Sequence, residues 1–172
     1  MTNNPNELTI ENSVLVLIDH QPAVAINVRS IDLGLLVNNV AALSQVARAF
    51  GVPTVLTTVG AQGSVLVDPL FKEITEAFPD NTPIDRPSSH AWSHPDVRAA
   101  VEATGRKKLV MAGLVTEVCL VQQHRITARH HHLCAGVRLD HGPSQSRRRV
   151  VTRRPVYSCF GQVSVISAPP LQ

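Results

Sequence analysis

The chain has 172 residues, 44% of them hydrophobic and 3% aromatic, and carries a formal net charge of +3. That length suits one domain, taken as residues 1–172, with a core built from Val, Leu, Ala and Ile, and the hydrophobic content excludes a disordered chain. No stretch approaches the ~20 apolar residues that span a bilayer, and the polar start lacks the charged and apolar regions of a signal peptide, so the expected location is the cytoplasm.

Ser13 to Ile18 is a continuous apolar run and reads as the first strand, ending in Asp19-His20-Gln21-Pro22. From Asp32 to Phe50, Leu35, Leu36, Val40, Leu43, Val46, Ala47 and Phe50 recur at helical spacing, and Gly51 followed by Pro53 stops that helix. Val52 to Val59 is β-branched and predicts a second strand. A short helix is expected over 69–78, then an extended segment over 82–85 leading to Arg86-Pro87. A helix over 96–104 follows, capped by Ser93 or His94 with Pro95 in its first turn, and ended by Gly105. Lys107 to Ala112 is the next strand, and a helix is expected from about Glu117 to Ala128. Strands alternating with helices imply a parallel sheet covered on both faces: an α/β fold, Rossmann-like, a three-layer α/β/α sandwich.

Two strand ends carry chemistry. Asp19 closes the first strand, where open α/β sheets place a ligand crevice, although Asp before a Pro turn also suits a helix N-cap. Cys119 follows a glycine turn at the start of the expected helix. First-turn amides and the helix dipole there favour a thiolate; the plainer alternative is a small buried hydrophobe. Together they form a candidate base and nucleophile. Gln21 is placed to contact substrate or orient Asp19, or is a polar turn residue. Trp92, the sole tryptophan, is a substrate wall, an interface anchor or a core residue.

Val14-Leu15-Val16-Leu17-Ile18-Asp19-His20-Gln21, Ile84-Asp85-Arg86-Pro87 and Ala112-Gly113-Leu114-Val115-Thr116-Glu117-Val118-Cys119 together resemble the isochorismatase-like cysteine hydrolases, which include nicotinamidases and N-carbamoylsarcosine amidohydrolases. The resemblance covers about residues 12–123. It implies Asp19 as general base, Arg86 as cationic partner and Cys119 as nucleophile. It also implies an oxyanion hole from the amides of Val115 and Cys119, and a cis peptide at Val115-Thr116. Family members usually carry lysine at the middle position and some subgroups arginine; arginine stays charged, so Arg86 would position and hold charge without shuttling a proton.

No cofactor is expected. Nicotinamidases of the family carry an Asp and two His after the second strand, whereas Thr57 to Ser64 holds no such ligands; His90 and His94 are four apart beside Pro95, and His130–His132 reads as a solvated run, so no metal site is assigned. Cys119, Cys134 and Cys159 form no metal spacing and no disulfide framework. Beyond about residue 124 the family pattern fades. Arg147, Arg148, Arg149, Arg153 and Arg154 stand where the family has an apolar-faced helix, so the C-terminal strands are expected to be altered or missing, through divergence or a change of reading frame in the gene.

The expected activity is hydrolysis of an amide-like C–N bond in a small molecule through a thioester-type intermediate. The expected partners are that substrate and further copies of the chain, with no membrane. The competing readings are a non-catalytic or impaired family member with a scaffold role, and a nucleic-acid binder using the basic tail, the last disfavoured because the tail lacks interleaved aromatics.

Overall fold

The computed structural model describes residues 8–61, 69–115 and 119. The elements in chain order are β1 (Ser13–Ile18), α1 (Pro22–Ala25), α2 (Leu33–Ala49), β2 (Thr54–Val59), α3 (Lys72–Ala77), β3 (Ile84–Arg86), α4 (Pro95–Ala103) and β4 (Lys108–Gly113), with a 3-10 turn at Ala91–Ser93. The four strands form one sheet in the order β3-β2-β1-β4, every pairing parallel. The expected helix over 117–128, the basic run, the triple histidine, Cys134 and Cys159 lie outside the described residues.

All six residues of β1 are buried, because it is flanked on both sides and covered on both faces. Its alternation feeds two cores. Val14, Val16 and Ile18 point to a cluster with Trp92, Val97, Val101 and Met111, under α4 and the 3-10 turn. Leu15 and Leu17 point to the other face, against Leu36, Val40 and Ala47 of α2 and Ile74 and Ala77 of α3. A sheet with an apolar layer on each face and helices over both is the expected three-layer arrangement.

The helix boundaries have local causes. Asp32 caps α2, its Oδ1 accepting the Leu35 amide at 3.0 Å. At the other end Gly51 has φ +62°; its amide donates to Arg48 O and the Val52 amide to Ala47 O, the pair of bonds that closes a helix through a left-handed residue. The helix expected over 69–78 starts only at Lys72, because the Phe71 amide donates instead to His20 O at 2.8 Å. The strand expected from Val52 starts at Thr54, past Pro53, whose ring nitrogen carries no hydrogen for the ladder. Arg86 belongs to β3 itself, one residue beyond the extended segment expected from the sequence. Pro95 opens α4 with His94 at its N-cap.

Register then decides what meets at the carboxyl edge. Ile18 pairs with Thr57 on one side and Gly113 on the other, and Thr58 and Val59 pair with Asp85 and Arg86. Chain order runs β1 to β2 to β3 in one direction, then returns across to β4 on the far side of β1. The connections after β1 and β4 therefore diverge at β1, the topological switch point where such sheets open a crevice. Asp19 is the first residue past that end, and Leu114 and Val115 leave β4 at the same edge.

Candidate active site

Asp19 has φ +54°, a left-handed backbone that L residues adopt at a cost of about 1 kcal/mol and that Asp tolerates better than most. The conformation is held from both sides. The Asp19 amide donates to Thr57 O at 3.2 Å, and Asp19 O accepts the Gln21 amide at 2.8 Å. Gln21 is buried, and its carboxamide pairs with the end of β2: the Val59 amide donates to Oε1 at 2.8 Å and Nε2 donates to Val59 O at 3.4 Å. Gln21 thus acts as a staple between the β1 turn and β2.

The Asp19 carboxylate is 1% exposed and meets Arg86, itself 1% exposed. One guanidinium nitrogen, Nη2, donates to Oδ1 at 2.6 Å and Oδ2 at 2.5 Å. The Thr57 hydroxyl donates to Oδ1 at 3.0 Å and accepts from Arg86 Nη2 at 3.3 Å. Arg86 Nη1 donates to Ser88 O, which anchors the guanidinium to the loop after β3; its Nε has no partner among the described residues. Burial raises the Asp19 carboxyl above its ordinary range. The Arg86 charge and hydrogen bond, and then the Thr57 hydroxyl, pull it back in part, and the nearby Asp85 charge adds to the rise. Asp85 is turned away from that pair, accepting the Thr58 hydroxyl at 2.8 Å and the Ala61 amide at 2.9 Å.

Cys119 is buried and shares its cluster with Trp92, Ile18 and Met111. Its thiol feels both Asp19 and Arg86: the carboxylate disfavours the thiolate, the guanidinium favours it. The expectation that helix-start geometry makes the resting thiol acidic is corrected. Burial dominates and pushes Cys119 up to about 11, outweighing the hydrogen bonding from the backbone of Val115 and Leu114. Of the two amides expected to stabilise an oxyanion, that of Cys119 donates to Val115 O at 2.7 Å. Thr116, and with it the expected cis bond, lies outside the described residues.

Trp92 is 2% exposed and belongs to the same buried cluster as Cys119. His94 sits at the head of α4 with Nδ1 3.9 Å from Asp96 Oδ2. Among the described residues no group of three or more His, Cys, Asp or Glu is gathered to hold a metal ion.

One residue of the site, Thr57, had no signal of its own in the sequence, and the burial of His20, beside Asp19 in the chain, had none either. Thr57 looks like any β-branched strand residue until register brings it to Asp19. His20 is 1% exposed with Nδ1 unpartnered among the described residues, and burial lowers it to about 3, so it is neutral at physiological pH.

Known proteins share this fold. The model of the Isochorismatase domain matches residues 13–132. The probable hydrolase YcaC of Escherichia coli is 40% identical over 124 residues, 70% of this chain and 57% of that protein. The chain therefore spans somewhat more than half the length of that relative. The crystal structure of E. coli YcaC, described as an octameric hydrolase of unknown specificity, superposes with a TM-score of 0.66 at 38% identity over 72% of this chain and 60% of that one. YcaC from Pseudomonas aeruginosa, solved with hexane-2,5-diol and covalent acrylamide, gives 0.68 at 35% identity over 75% and 63%. An isochorismatase family protein from Burkholderia thailandensis, 15% identical over 73% of this chain and 75% of that one, shares the fold with a TM-score of 0.63. With 120 of its 172 residues, positions 13 to 132, matched by the domain model, the chain belongs to the isochorismatase family.

Proposed function

We propose that the protein is a cysteine hydrolase that cleaves an amide-like C–N bond of a small molecule, with Cys119 as nucleophile, Asp19 as general base and Arg86 as the fixed counter-charge. The observation that carries this reading is the buried Asp19–Arg86 pair, with Nη2 at 2.6 and 2.5 Å from the carboxylate, in the electrostatic reach of a buried thiol. A buried ion pair is a poor device for stability alone, since desolvation consumes most of its Coulomb attraction. It is a good device for moving one proton. When the thiol proton passes to Asp19, the charges change from carboxylate and guanidinium to thiolate and guanidinium. The net charge of the cluster stays the same, so a thiol near 11 can react without adding charge to the buried site.

The steps balance as follows. Cys119 Sγ attacks the carbonyl carbon as its proton passes to Asp19. Asp19 returns that proton to the leaving nitrogen as the C–N bond breaks, and a thioester remains. Water attacks the thioester, giving a proton to Asp19, and the departing sulfur takes it back as the acid is released. Arg86 stays protonated throughout. The oxyanion would draw on the Val115 amide and share the Cys119 amide with Val115 O. Losing one such donor commonly costs about 3 kcal/mol. Trp92 forms the wall behind the sulfur, and Gln21 keeps the Asp19 turn in place.

The covalent acrylamide in the Pseudomonas YcaC structure supports a nucleophile in this fold that accepts an electrophilic carbon. The octameric E. coli relative supports self-association of this chain. A working thiol also suits a reducing compartment, and we place the protein in the cytoplasm. Among the described residues no helix is long and apolar enough to cross a membrane.

Ammonia release from a panel of small primary amides and N-carbamoyl compounds, read for the full chain and for Cys119→Ala, tests the reading. Turnover of at least one compound, abolished in Cys119→Ala, is expected. Turnover that survives Cys119→Ala at the original rate would show that another group performs the chemistry.

A further inference from the structure

We propose that Thr57 is a positioning residue that makes the Asp19 carboxylate asymmetric, so that Oδ2 alone is the oxygen that takes the Cys119 proton. The inference rests on the reading of Asp19 as the base and adds to it an atom and a further residue. Thr57 grips Asp19 at two points: its carbonyl accepts the Asp19 amide at 3.2 Å, and its hydroxyl donates to Oδ1 at 3.0 Å. The first bond extends the β1–β2 ladder by one residue and helps hold the left-handed backbone of Asp19. The second fixes the rotation of the carboxylate.

The hydroxyl has one hydrogen, and that hydrogen is directed to Oδ1. Its lone pairs face Arg86 Nη2, which lies 3.3 Å away. Among the described residues Oδ1 thus receives two donors, Thr57 Oγ1 and Arg86 Nη2, while Oδ2 receives Nη2 alone. An oxygen with two donors has its in-plane lone pairs filled and is the poorer proton acceptor. Oδ2 keeps a free lone pair. Thr57 is fully buried, so no water competes for its hydroxyl, and its neighbour Thr58 is spent on Asp85. A valine at position 57 would keep the shape and the backbone bond and remove only the orienting donor.

The experiment follows the rate of covalent addition of acrylamide to Cys119 against pH in the full chain, by intact-protein mass spectrometry with peptide mapping. A thiol served by a base of this kind shows a rate that rises through the Asp19 titration to a plateau near neutral pH, then rises again as the free thiolate forms. Thr57→Val is expected to lower the plateau about tenfold and to move its acid limb up by about one pH unit, since Oδ1 loses a charge-assisted bond. Thr57→Ser, which restores the hydroxyl, is expected to recover both, an outcome that a loss of packing would not give; Thr57→Ala serves the same comparison if the valine is not accommodated. Asp19→Asn separates the two levels of the argument. If it abolishes the plateau while Thr57→Val matches the wild type, the role of Thr57 is overturned and the base stands. If Asp19→Asn leaves the plateau intact, the base assignment falls and this inference falls with it.

Discussion

Lowering the pH from 7 to 4.5 should destabilise this protein through one side chain, His20. The imidazole is 1% exposed, its Nδ1 has no partner among the described residues, and burial lowers it from 6.5 to about 3. The folded state therefore stays neutral at His20 across an interval in which the unfolded chain binds a proton there. With the unfolded state holding more protons, stability rises with pH between about 3 and 6.5 and is lost as the pH falls through that window. Each pH unit is worth a little over ~1 kcal/mol, so the two units between 6.5 and 4.5 remove about 3 kcal/mol, a large share of an ordinary domain's stability. Asp19 acts with the opposite sign. Its carboxyl is raised in the folded state, so its contribution is lost as pH rises. The comparison that isolates His20 is urea unfolding at pH 7 and pH 4.5 for the wild type and for His20→Leu, which fills similar space without titrating. The wild type should lose about 2–3 kcal/mol more than the variant over this interval. Equal losses would mean that His20 is protonated in the folded protein, and that the reading of its burial as uncompensated is mistaken.

Arg86→Met should cost about 3–5 kcal/mol at pH 7, because it leaves the Asp19 carboxylate buried without its partner; the deficit in chemical denaturation should shrink as the pH falls and Asp19 takes up a proton, and a flat deficit across pH would contradict the ion-pair account. Leu17→Ala removes a fully buried side chain from the middle of β1 and should cost about 2–5 kcal/mol by the same assay. Gly51→Ala meets no atom within 4 Å of its new Cβ, so only the φ of +62° opposes it; a loss of about 1 kcal/mol is expected, and no loss would mean that the helix end relaxes out of the left-handed conformation.

The elements of this fold were legible where local pattern suffices. β1, β2, β4, α2 and α4 lie within two residues of the boundaries that apolar runs, Gly51, Pro95 and Gly105 announce. The ends of the strands also announced Asp19 and Cys119 as chemistry-bearing positions. What a linear reading could not supply was register and solvent access. Thr57 reaches Asp19 only because Ile18 pairs with Thr57, thirty-nine positions along the chain. The late start of α3 follows from the Phe71 amide bonding to His20 O, a contact across fifty-one positions. Gln21 shows no local sign that its carboxamide closes on Val59. The acidity of Cys119 was read with the wrong sign because a helix start is visible in sequence whereas desolvation by Trp92, Ile18 and Met111 is not. The four-residue α1 and the 3-10 turn at Ala91–Ser93 are too short to leave a periodic signature.

The most direct test of a thiol served by a buried acid–guanidinium pair is to map which cysteine carries the adduct after brief acrylamide treatment at pH 6, where ordinary thiols are almost wholly protonated. The account predicts modification at Cys119 ahead of Cys134 and Cys159, and its disappearance in Asp19→Asn. An adduct spread evenly over the three sulfurs, or one on Cys119 indifferent to Asp19, would contradict it.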